Sequence, residues 1–481
     1  MFSQEIARHR TALVRSELSR PLRTALLDGI LAPQHKVMDY GCGRGGDVAR
    51  LIESGFDCTG WDPVHAPAGL RRRAEVVNIG YVVNVIENPV ERRDALRQAW
   101  ALTEGVLVVS ARLQGDTPLR PTGRLEDGVL TRTGTFQKFF EQQELKNWID
   151  QSLEVQSAAA APGIFYVFRR SDARESFLAQ RFRRRTFTPR LRLSDKLVAE
   201  HRNLLDGLAT FLAKHGRLPV EDEFDAFGKL LDTFGSLLRA YRLLQSISDP
   251  AVWDLVRRSR TEDILVYLAL SRFDGRPRFG VLPLSLQRDV KAFFGPYATA
   301  CREADALLFS LGRLEHLTRV TATSPIGKLL PTALYLHVDA MAEAPLLLRL
   351  YEGCARAIVG QVEGANVLKL RRDEPKVSYL SYPDFSTDPH PALAASLSVH
   401  LQTFRLKTRR YEGSENPPIL HRKEAFLSHD HPDYSKYARL SRIEESKGLY
   451  QETSLIGTRA GWAEALRRAG LKLHGHRLVR A

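Results

Sequence analysis

A short run of glycines and acids near the start of the chain has the composition of a cofactor-binding turn. In VMDYGCGRGGD, residues 37–47, an apolar strand is predicted to reach Asp39, a turn to contain Gly41 and Gly43, and a helix to begin near Asp47. Glycine suits such a turn because the backbone must bend tightly and approach a ligand without interference from a Cβ atom. The run therefore predicts a ligand site at the end of the first strand.

The acid that precedes the glycines distinguishes two kinds of cofactor. Gly46 completes the letters GxGxxG, so a dinucleotide-binding turn is an alternative interpretation. Asp39, however, would repel a pyrophosphate and suits the cationic amino-acid end of S-adenosylmethionine. Asp62, within Trp61-Asp62-Pro63 at the end of the next predicted strand, can accept hydrogen bonds from both ribose hydroxyls. These two acids favour S-adenosylmethionine.

A second apolar run, AEVVNIGYVVNVIE at residues 74–87, is predicted to form a strand and a turn that close over the cofactor. Gly80 and Tyr81 fall at the carboxyl end of this strand, where open α/β sheets bind their ligands. The stretch between Asp62 and this strand is too short for a helix and another strand. The layer normally formed by the third strand is therefore predicted to be trimmed, together with the adenine-contacting acid that usually follows it.

An alternating layer of strands and helices is needed to hold these residues, and residues 1–168 have that pattern. Short β-rich runs such as KVMDY and GVLVVSAR alternate with amphipathic runs such as DVARLIESG and EQQELKNWIDQSL. This alternation predicts the α/β class, with a Rossmann-like layer around a mainly parallel sheet. The first thirty residues, in which Ser19 and Pro21 are typical of a cap and a first turn, are predicted to be helical.

Three further regions are distinguished by composition. Residues 169–192 are rich in arginine and are predicted to be a linker or a docking arm. Residues 193–362 have apolar residues at helical spacing almost throughout, which predicts a mainly helical domain. Residues 363–481 contain the strand-like runs VLKLRR and KVSYLSY and a last helical run, which predict a mixed α/β domain.

The charge of the chain indicates a polyanionic partner. Seventy Lys and Arg against fifty-six Asp and Glu leave a formal net charge of +14 on 481 residues. Such a surplus favours nucleic acid, either DNA or RNA. Arg181, Arg183, Arg184 and Arg185, with Phe182 among them, are predicted to contact phosphates and stack on exposed bases. The alternative is an interdomain linker whose arginines pair with the acidic run EDEFD.

Cysteine usage and the lack of long apolar runs indicate the compartment. The four cysteines are far apart and form no CxxC, which argues against a disulfide framework and a zinc knuckle. The run MFSQEIARHRTALVRSELSR lacks the apolar centre of a signal peptide, and no run of about 18 apolar residues occurs. We therefore expect no membrane span and a cytoplasmic location. No metal site is predicted, because Tyr434 follows HDHPD (429–433) where a metallo-hydrolase motif needs a histidine.

Residues 1–170 resemble class I S-adenosylmethionine-dependent methyltransferases, and the wider chain resembles the bacterial family of DNA phosphorothioation-associated methyltransferases. The N-terminal likeness rests on IARHRTALVRSELSRP, VMDYGCGRGGDV, GWDP, VVNIGYVVNVIE, GTFQKFF and APGIFYVFR. The C-terminal likeness rests on KVSYLSYPDF, DPHPAL, NPPILHRKE and IGTRAGW. The resemblance implies a methyltransferase encoded near systems that modify DNA with sulfur, whose proteins would be partners. From the fold family, Asp39, Gly41, Gly43, Asp62 and Gly80 carry over as cofactor residues.

The methyl acceptor is marked by a partial motif. Amino-methyltransferases of adenine or cytosine use (D/N)PP(Y/F), in which the first residue accepts a hydrogen bond from the exocyclic amine and the aromatic ring stacks on the flipped base. This chain has Asn78-Ile79-Gly80-Tyr81 there, which keeps the first and last letters and loses both prolines. Asn78 and Tyr81 are the best-placed candidates for catalysis, and packing at the strand end is the alternative for Tyr81.

These observations predict a methyltransferase that acts on DNA, with RNA as the next candidate, by in-line displacement at the sulfonium methyl. A small-molecule acceptor also stays open. One alternative is a cofactor-binding regulatory DNA-binding protein without turnover. Another is a DNA-processing protein with a nuclease-like C-terminal domain, suggested by Glu374-Pro375-Lys376 between two strand-like runs.

Overall fold

The structure is a computed structural model that describes residues 6–12, 14–115, 123–184 and 201–481. The chain divides into two compact units. The first unit combines residues 1–174 with residues 314–481, and the second comprises residues 175–313. The first unit therefore consists of two separate stretches of chain, and it holds the glycine-rich turn.

A six-stranded mixed sheet forms the N-terminal part of the first unit, with the strand order β2-β1-β3-β4-β9-β8. The first four of these strands run parallel to one another, β9 is antiparallel to β4, and β8 is antiparallel to β9. The strands are β1 (Lys36–Tyr40), β2 (Asp57–Trp61), β3 (Ala74–Gly80), β4 (Thr103–Ser110), β8 (Ala158–Ala161) and β9 (Ile164–Phe168). The α/β, Rossmann-like class predicted for this region is confirmed.

Helices cover both sides of this sheet, which explains why its strands are almost continuously apolar. The helices are α1 (Arg20–Leu27), α2 (Gly46–Glu53), α3 (Pro89–Leu102) and α4 (Gln142–Leu153). Because successive strand residues face opposite sides, Met38, Val77 and Ile79 join the core under α3 and α4. Asp39 and Asn78 consequently face the other side of the sheet, and the register pairs them directly.

The stretch between β2 and β3 contains no strand in the structure, and β3 pairs directly with β1. This agrees with the trimmed third-strand layer expected from the short spacing. A small antiparallel sheet of β5 (Gly123–Leu125), β6 (Gly128–Leu130) and β7 (Phe136–Gln137) follows β4 instead.

A second six-stranded sheet forms the C-terminal part of the first unit. It is an antiparallel meander in which each strand pairs with the next along the chain. Its strands are β10 (Lys328–Leu330), β11 (Ala333–His337), β12 (Val367–Arg371), β13 (Lys376–Ser381), β14 (Ala395–His400) and β15 (Leu406–Arg410). The hairpin of β16 (Leu471–His474) and β17 (Arg477–Arg480) ends the chain.

Helices make up the second unit and flank the second sheet. One helix, α5 (Ser171–Arg181), spans the boundary between the units. The helices of the second unit are α6 (Arg202–His215), α7 (Phe227–Phe234), α8 (Leu237–Ser246), α9 (Pro250–Leu270), α10 (Leu284–Phe294) and α11 (Tyr297–Ser310). The helices beside the second sheet are α12 (Leu314–Ala322), α13 (Leu346–Val359), α14 (Tyr434–Ser446) and α15 (Arg459–Arg468).

The observed boundaries differ from the predicted ones. The arginine-rich stretch predicted as a linker over 169–192 contains the helix α5 in its described part. The predicted helical domain, 193–362, includes β10, β11 and α13, which belong with the second sheet because β11 pairs with β12. These short strands lie among leucines at helical spacing, and their pairing partner comes later in the chain.

A close backbone contact joins β8 of the first sheet to the end of α13. The N–H of Gln361 donates to the carbonyl of Ala160 on β8 at 2.7 Å. Gly360 ends α13 with a φ of +71° and a ψ of −152°, a region adopted almost only by glycine. A Cβ atom at this position would lie 2.2 Å from the carbonyl carbon and oxygen of Ala160. Glycine at position 360 therefore permits the contact.

Gly360→Ala is expected to lower the free energy of unfolding by about 3 kcal/mol or more, because both the backbone conformation and the space exclude a side chain. Gly29→Ala is the matched control: Gly29 also has a positive φ, +69°, but no atom lies within 4 Å of an added Cβ. It should cost about 1 kcal/mol. Urea unfolding of both variants measures the difference in the free energy of unfolding. Equal losses in the two variants would contradict the role of the contact between Gly360 and Ala160.

Candidate cofactor site and the adjoining cleft

A cavity of about 600 Å³ lies at the carboxyl ends of β1, β2 and β3. Loops at this edge of an open α/β sheet form the usual ligand site. The structure brings together four of the five predicted cofactor residues and one of the two predicted catalytic residues in its lining. These residues are Gly41, Gly43, Asp62, Gly80 and Tyr81.

The glycine turn wraps tightly between the ends of β1 and β2. The N–H groups of Gly41 and Cys42 donate to the carbonyl of Trp61, at 2.7 and 3.1 Å. Gly41 has a φ of +83°. A Cβ atom on it would come 2.3 Å from Cγ2 of Val82. The turn therefore requires glycine at position 41 for both its conformation and its packing.

Asp62 is held in place by backbone donors. Its Oδ2 accepts from the N–H of Gly43 at 3.1 Å, and its Oδ1 accepts from those of Val64 and His65 at 2.9 and 2.8 Å. A carboxylate has about four acceptor positions, so about one stays available to a ligand. The sequence analysis expected this acid to accept from both ribose hydroxyls, and the structure shows that much of its capacity serves the turn.

Asp39 lies beneath the cavity and is not part of its lining. Its side chain is 3% exposed, and its Oδ1 accepts from Nδ2 of Asn78 at 2.8 Å. Burial raises the pKa of Asp39 to about 7, and the carboxylates of Asp47 and Asp62 act in the same direction. The hydrogen bond from Asn78 and the charge of Arg15 oppose this rise.

Asn78, a predicted catalytic residue, is also outside the lining. It is 2% exposed, and a Cβ atom on Gly80 would lie 2.9 Å from its Nδ2. Its Oδ1 has no hydrogen-bond partner among the described residues. In this arrangement Asn78 positions Asp39 from below, and a contact between Asn78 and an acceptor stays a prediction.

Tyr81 stands where the cavity meets a second, larger cleft, and it lines both. Its φ of +60° is in the left-handed region, which costs a residue other than glycine about 1–3 kcal/mol. Its N–H donates to the carbonyl and to Oγ of Ser110, at 3.0 and 3.1 Å, which holds this conformation. The guanidinium of Arg15 lies 5.7 Å from the centre of its ring.

The N-terminal segment lies along the cavity, a contribution that the sequence analysis missed. The region predicted as continuous helix contains a 3₁₀ turn at Arg8–Arg10, and α1 begins only at Arg20. Nη1 of Arg8 contacts Oε1 of Glu91 at 2.6 Å, and its Nε contacts Oε2 of Glu87 at 3.1 Å. Cβ of Ala12 would lie 3.1 Å from a Cβ atom on Gly43. Spacing along the chain does not indicate this pairing, because Arg8 lies 79 and 83 residues from the two acids.

The second cleft has a volume of about 1070 Å³ and is rich in arginine. It shares Thr11, Arg15, Tyr81 and Val85 with the cofactor cavity. Spacing along the chain does not predict this cleft, because its arginines come from distant parts of the chain. One of them, Arg410, belongs to the second sheet.

The arginines predicted to bind nucleic acid have other contacts. Arg181 lies over the ring of Phe177 at 5.1 Å, and Arg183 donates to the carbonyl of Lys214. Arg184 pairs with Glu262 at 2.8 Å and Asp263 at 3.0 Å. Arg185 lies outside the described residues. Their contact with nucleic acid stays a prediction.

The part of the chain that the structure describes contains neither a metal-binding cluster nor a membrane-spanning helix. Within 6–12, 14–115, 123–184 and 201–481, no three His, Cys, Asp or Glu side chains group closely enough to hold a metal ion. No helix in these ranges combines the length and the apolarity needed to cross a bilayer.

In the hairpin turn that resembles part of a nuclease motif, Glu374 pairs with Arg371 at 3.3 Å and with Lys376 at 3.4 Å.

Asp39→Asn is expected to raise the free energy of unfolding at about pH 8 by about 2 to 4 kcal/mol. The pKa of Asp39 is about 7 in the folded chain and 3.8 ordinarily. Between these values the folded state keeps a proton that the unfolded state has lost, so the unsubstituted chain loses stability as the pH rises. Asparagine removes this loss, and the two stability curves should meet near pH 4. Urea unfolding across this range tests the prediction, and a constant difference would contradict it.

Among solved structures, this chain is similar to several methyltransferases. No protein-family model and no curated protein matches the chain. One similar structure is the 1,6-didemethyltoxoflavin-N1-methyltransferase of Burkholderia thailandensis with bound 1,6-didemethyltoxoflavin and S-adenosylhomocysteine. It is 17% identical, with 34% of this chain and 79% of that chain covered and a TM-score of 0.24.

Two further similar structures are also described as methyltransferases. The sugar N-methyltransferase KedS8 from Streptoalloteichus sp. ATCC 53650 is 15% identical, with 31% of this chain and 86% of that chain covered and a TM-score of 0.25. The CcbJ methyltransferase from Streptomyces caelestis is 17% identical, with 33% and 92% covered and a TM-score of 0.24. At TM-scores of this size the likenesses add no weight, and the assignment of the site rests on its geometry.

Proposed function

We propose that this chain is an S-adenosylmethionine-dependent methyltransferase whose donor site is the 600 Å³ cavity. The observation that carries the proposal is the fixed carboxylate of Asp62, which faces the cavity beside the glycine turn at the ends of two neighbouring parallel strands. A buried acid, Asp39, lies below the same turn. Two acids around a glycine turn suit a cofactor with a ribose and a cationic amino-acid end better than they suit a pyrophosphate.

The residues of the chain fit the cofactor in separate roles. Asp62 would accept from a ribose hydroxyl with its available oxygen position. Gly41 and Gly43 keep the turn free of side chains, so the backbone can approach the ligand. When bound, the cofactor supplies an electrophilic methyl group for in-line displacement. The chain contributes chiefly by aligning the acceptor with the donor cavity, and Tyr81 lies at the passage through which the acceptor would enter.

The acceptor we propose is DNA, with RNA as the next candidate. The net charge of +14 and the arginine-rich cleft beside the donor cavity support a polyanionic acceptor. The resemblance to DNA phosphorothioation-associated methyltransferases supports a role beside sulfur modification of DNA, with the proteins of such a system as partners. The four free cysteines fit the reducing cytoplasm, where this DNA would be found.

One observation favours a second candidate function, a cofactor-binding regulator that does not turn over. Asn78, which would hold an exocyclic amine in the motif of amino-methyltransferases, is buried under Gly80 and bonded to Asp39. If no other group orients the acceptor, the cavity would bind the cofactor without transferring its methyl group. Methyl transfer to DNA distinguishes the two functions.

Asp62→Ala is expected to weaken S-adenosylmethionine binding at least about tenfold, because it removes a charged acceptor from the cavity wall. Asp57→Ala is the matched control, since Asp57 begins β2, the strand that Asp62 follows, and is exposed and paired with Arg72. Isothermal titration calorimetry of both variants gives the comparison. Thermal unfolding without ligand checks that the Asp62→Ala variant is folded. If this variant binds S-adenosylmethionine with the affinity of the wild-type chain, the proposed site is wrong.

Transfer itself is tested with cofactor carrying a labelled methyl group. DNA oligonucleotides with and without phosphorothioate linkages, and RNA of the same sequence, are incubated with the full chain, and the label in each nucleic acid is measured. Incorporation that the Asp62 variant lacks supports the enzyme. Binding of the cofactor without incorporation into either DNA or RNA supports the regulator instead.

A further inference from the structure

We propose that the arginine-rich cleft binds the phosphates of a single nucleic-acid strand and that Arg410 of the second sheet completes this site. The identity of the acceptor rests on the proposed function, but the binding of a polyanion in the cleft does not. The C-terminal sheet thereby becomes part of acceptor recognition in the first unit.

The lining of the cleft is rich in positive charge. Five arginines line it from separate parts of the chain: Arg10, Arg15, Arg112, Arg132 and Arg410. Two more lining arginines, Arg20 and Arg23, lie 3.6 Å from the carboxylate of Glu363. Among the described lining residues Glu17 is the one carboxylate. Such an excess of positive charge in a concave surface attracts phosphates.

Neutral polar groups complete the lining. Hydroxyls of Thr131, Thr133 and Thr135 lie within hydrogen-bond distance of one another, and such side chains are common partners of phosphate and sugar oxygens. Nδ2 of Asn84 donates to Gln137 at 3.0 Å, while its Oδ1 has no partner among the described residues. The wall of the cleft thus offers hydroxyl groups to phosphate and sugar oxygens, whereas the Oδ1 atom of Asn84 is buried.

Strand β15 explains how Arg410 reaches the cleft. β15 is an edge strand that pairs with β14, with Arg410 opposite Ala395. Leu406 at its start packs against the core of the first sheet. Because side chains alternate along a strand, Arg410 faces the same side as Leu406, and Arg409 faces the other. The strand is therefore anchored on the N-terminal layer and directs Arg410 to it.

The position of the cleft favours an unstacked strand. The cleft meets the donor cavity at Arg15 and Tyr81, which line both spaces. A base inside a duplex cannot reach such a recessed cavity without leaving its stack. A strand with free bases can place its phosphates on the arginines and stack one base on Tyr81, since aromatic rings are common platforms for bases. We therefore assign single-stranded DNA as the class of ligand.

Binding of a fluorescein-labelled single-stranded 20-mer, followed by fluorescence anisotropy at several salt concentrations, tests the site. Arg410→Ala is expected to weaken binding about fivefold to tenfold and to reduce the salt slope by about 0.7, the value for one lost phosphate contact on a single strand. Arg409→Ala, the adjacent arginine with the same charge change, should stay within about twofold. Arg132→Ala, on another part of the chain, should behave like Arg410→Ala.

Several outcomes would overturn the assignment. Equal weakening by Arg409→Ala and Arg410→Ala would indicate general surface charge, and no weakening by either Arg410→Ala or Arg132→Ala would place the strand elsewhere. Duplex of the same sequence bound more tightly than the single strand would contradict the ligand class. RNA of the same sequence bound far more tightly than the DNA strand would replace DNA as ligand.

The same variants separate this inference from the proposed function. The anisotropy titration contains no cofactor, and Arg410→Ala should leave the affinity for S-adenosylmethionine unchanged in calorimetry. If the wild-type chain fails to bind the cofactor but binds the strand through Arg410, the methyltransferase proposal fails and the cleft stands. If the cofactor binds and the strand does not, the donor site stands and the cleft fails.

Discussion

The hydrogen bonds that join the end of β1 to the end of β2 are the constraint on which the candidate site depends. Trp61 accepts two donors from the glycine turn with its carbonyl, and Asp62 accepts a third with its carboxylate. These bonds leave no room for a side chain at Gly41, because Val82 packs against it from the end of β3. Three strand ends therefore fix one another, and the cavity is the space between them.

The two acids at this edge of the sheet, Asp62 and Asp39, have different surroundings. Asp62 is at the wall, where three backbone N–H groups hold its side chain in place. Asp39 faces the interior with one amide donor, and burial favours its protonated form. The same sheet edge thus holds one acid toward the ligand and a buried acid with a raised pKa behind it. Arg15 links them to the cleft, since it acts on Asp39 electrostatically and lines both spaces.

Local patterns were sufficient to predict five of the six strands of the N-terminal layer, the glycine turn and the position of Asp62 at the end of β2. KVMDY forms the predicted strand, and all of its residues except Lys36 are buried. Met38 and Tyr40 lie on one face, and Val37 lies with Asp39 on the other. β8 was missed because its four alanines, Ala158–Ala161, have little preference for strands. The burial of Asn78 depends on its register against Asp39, and the cleft depends on bringing Arg10 and Arg410 together. Neither follows from spacing along the chain, because both are set by tertiary packing.

The contact between Gly360 and Ala160 also has a consequence for the order of events during synthesis. β8 is an edge strand, and the segment that touches it, at the end of α13, leaves the ribosome only after all of residues 175–313. The N-terminal layer must therefore wait with one edge uncovered while the helical unit is made. An uncovered strand edge can pair with another chain, so a nascent chain that pauses within this interval is exposed to aggregation in a way that the finished protein is not.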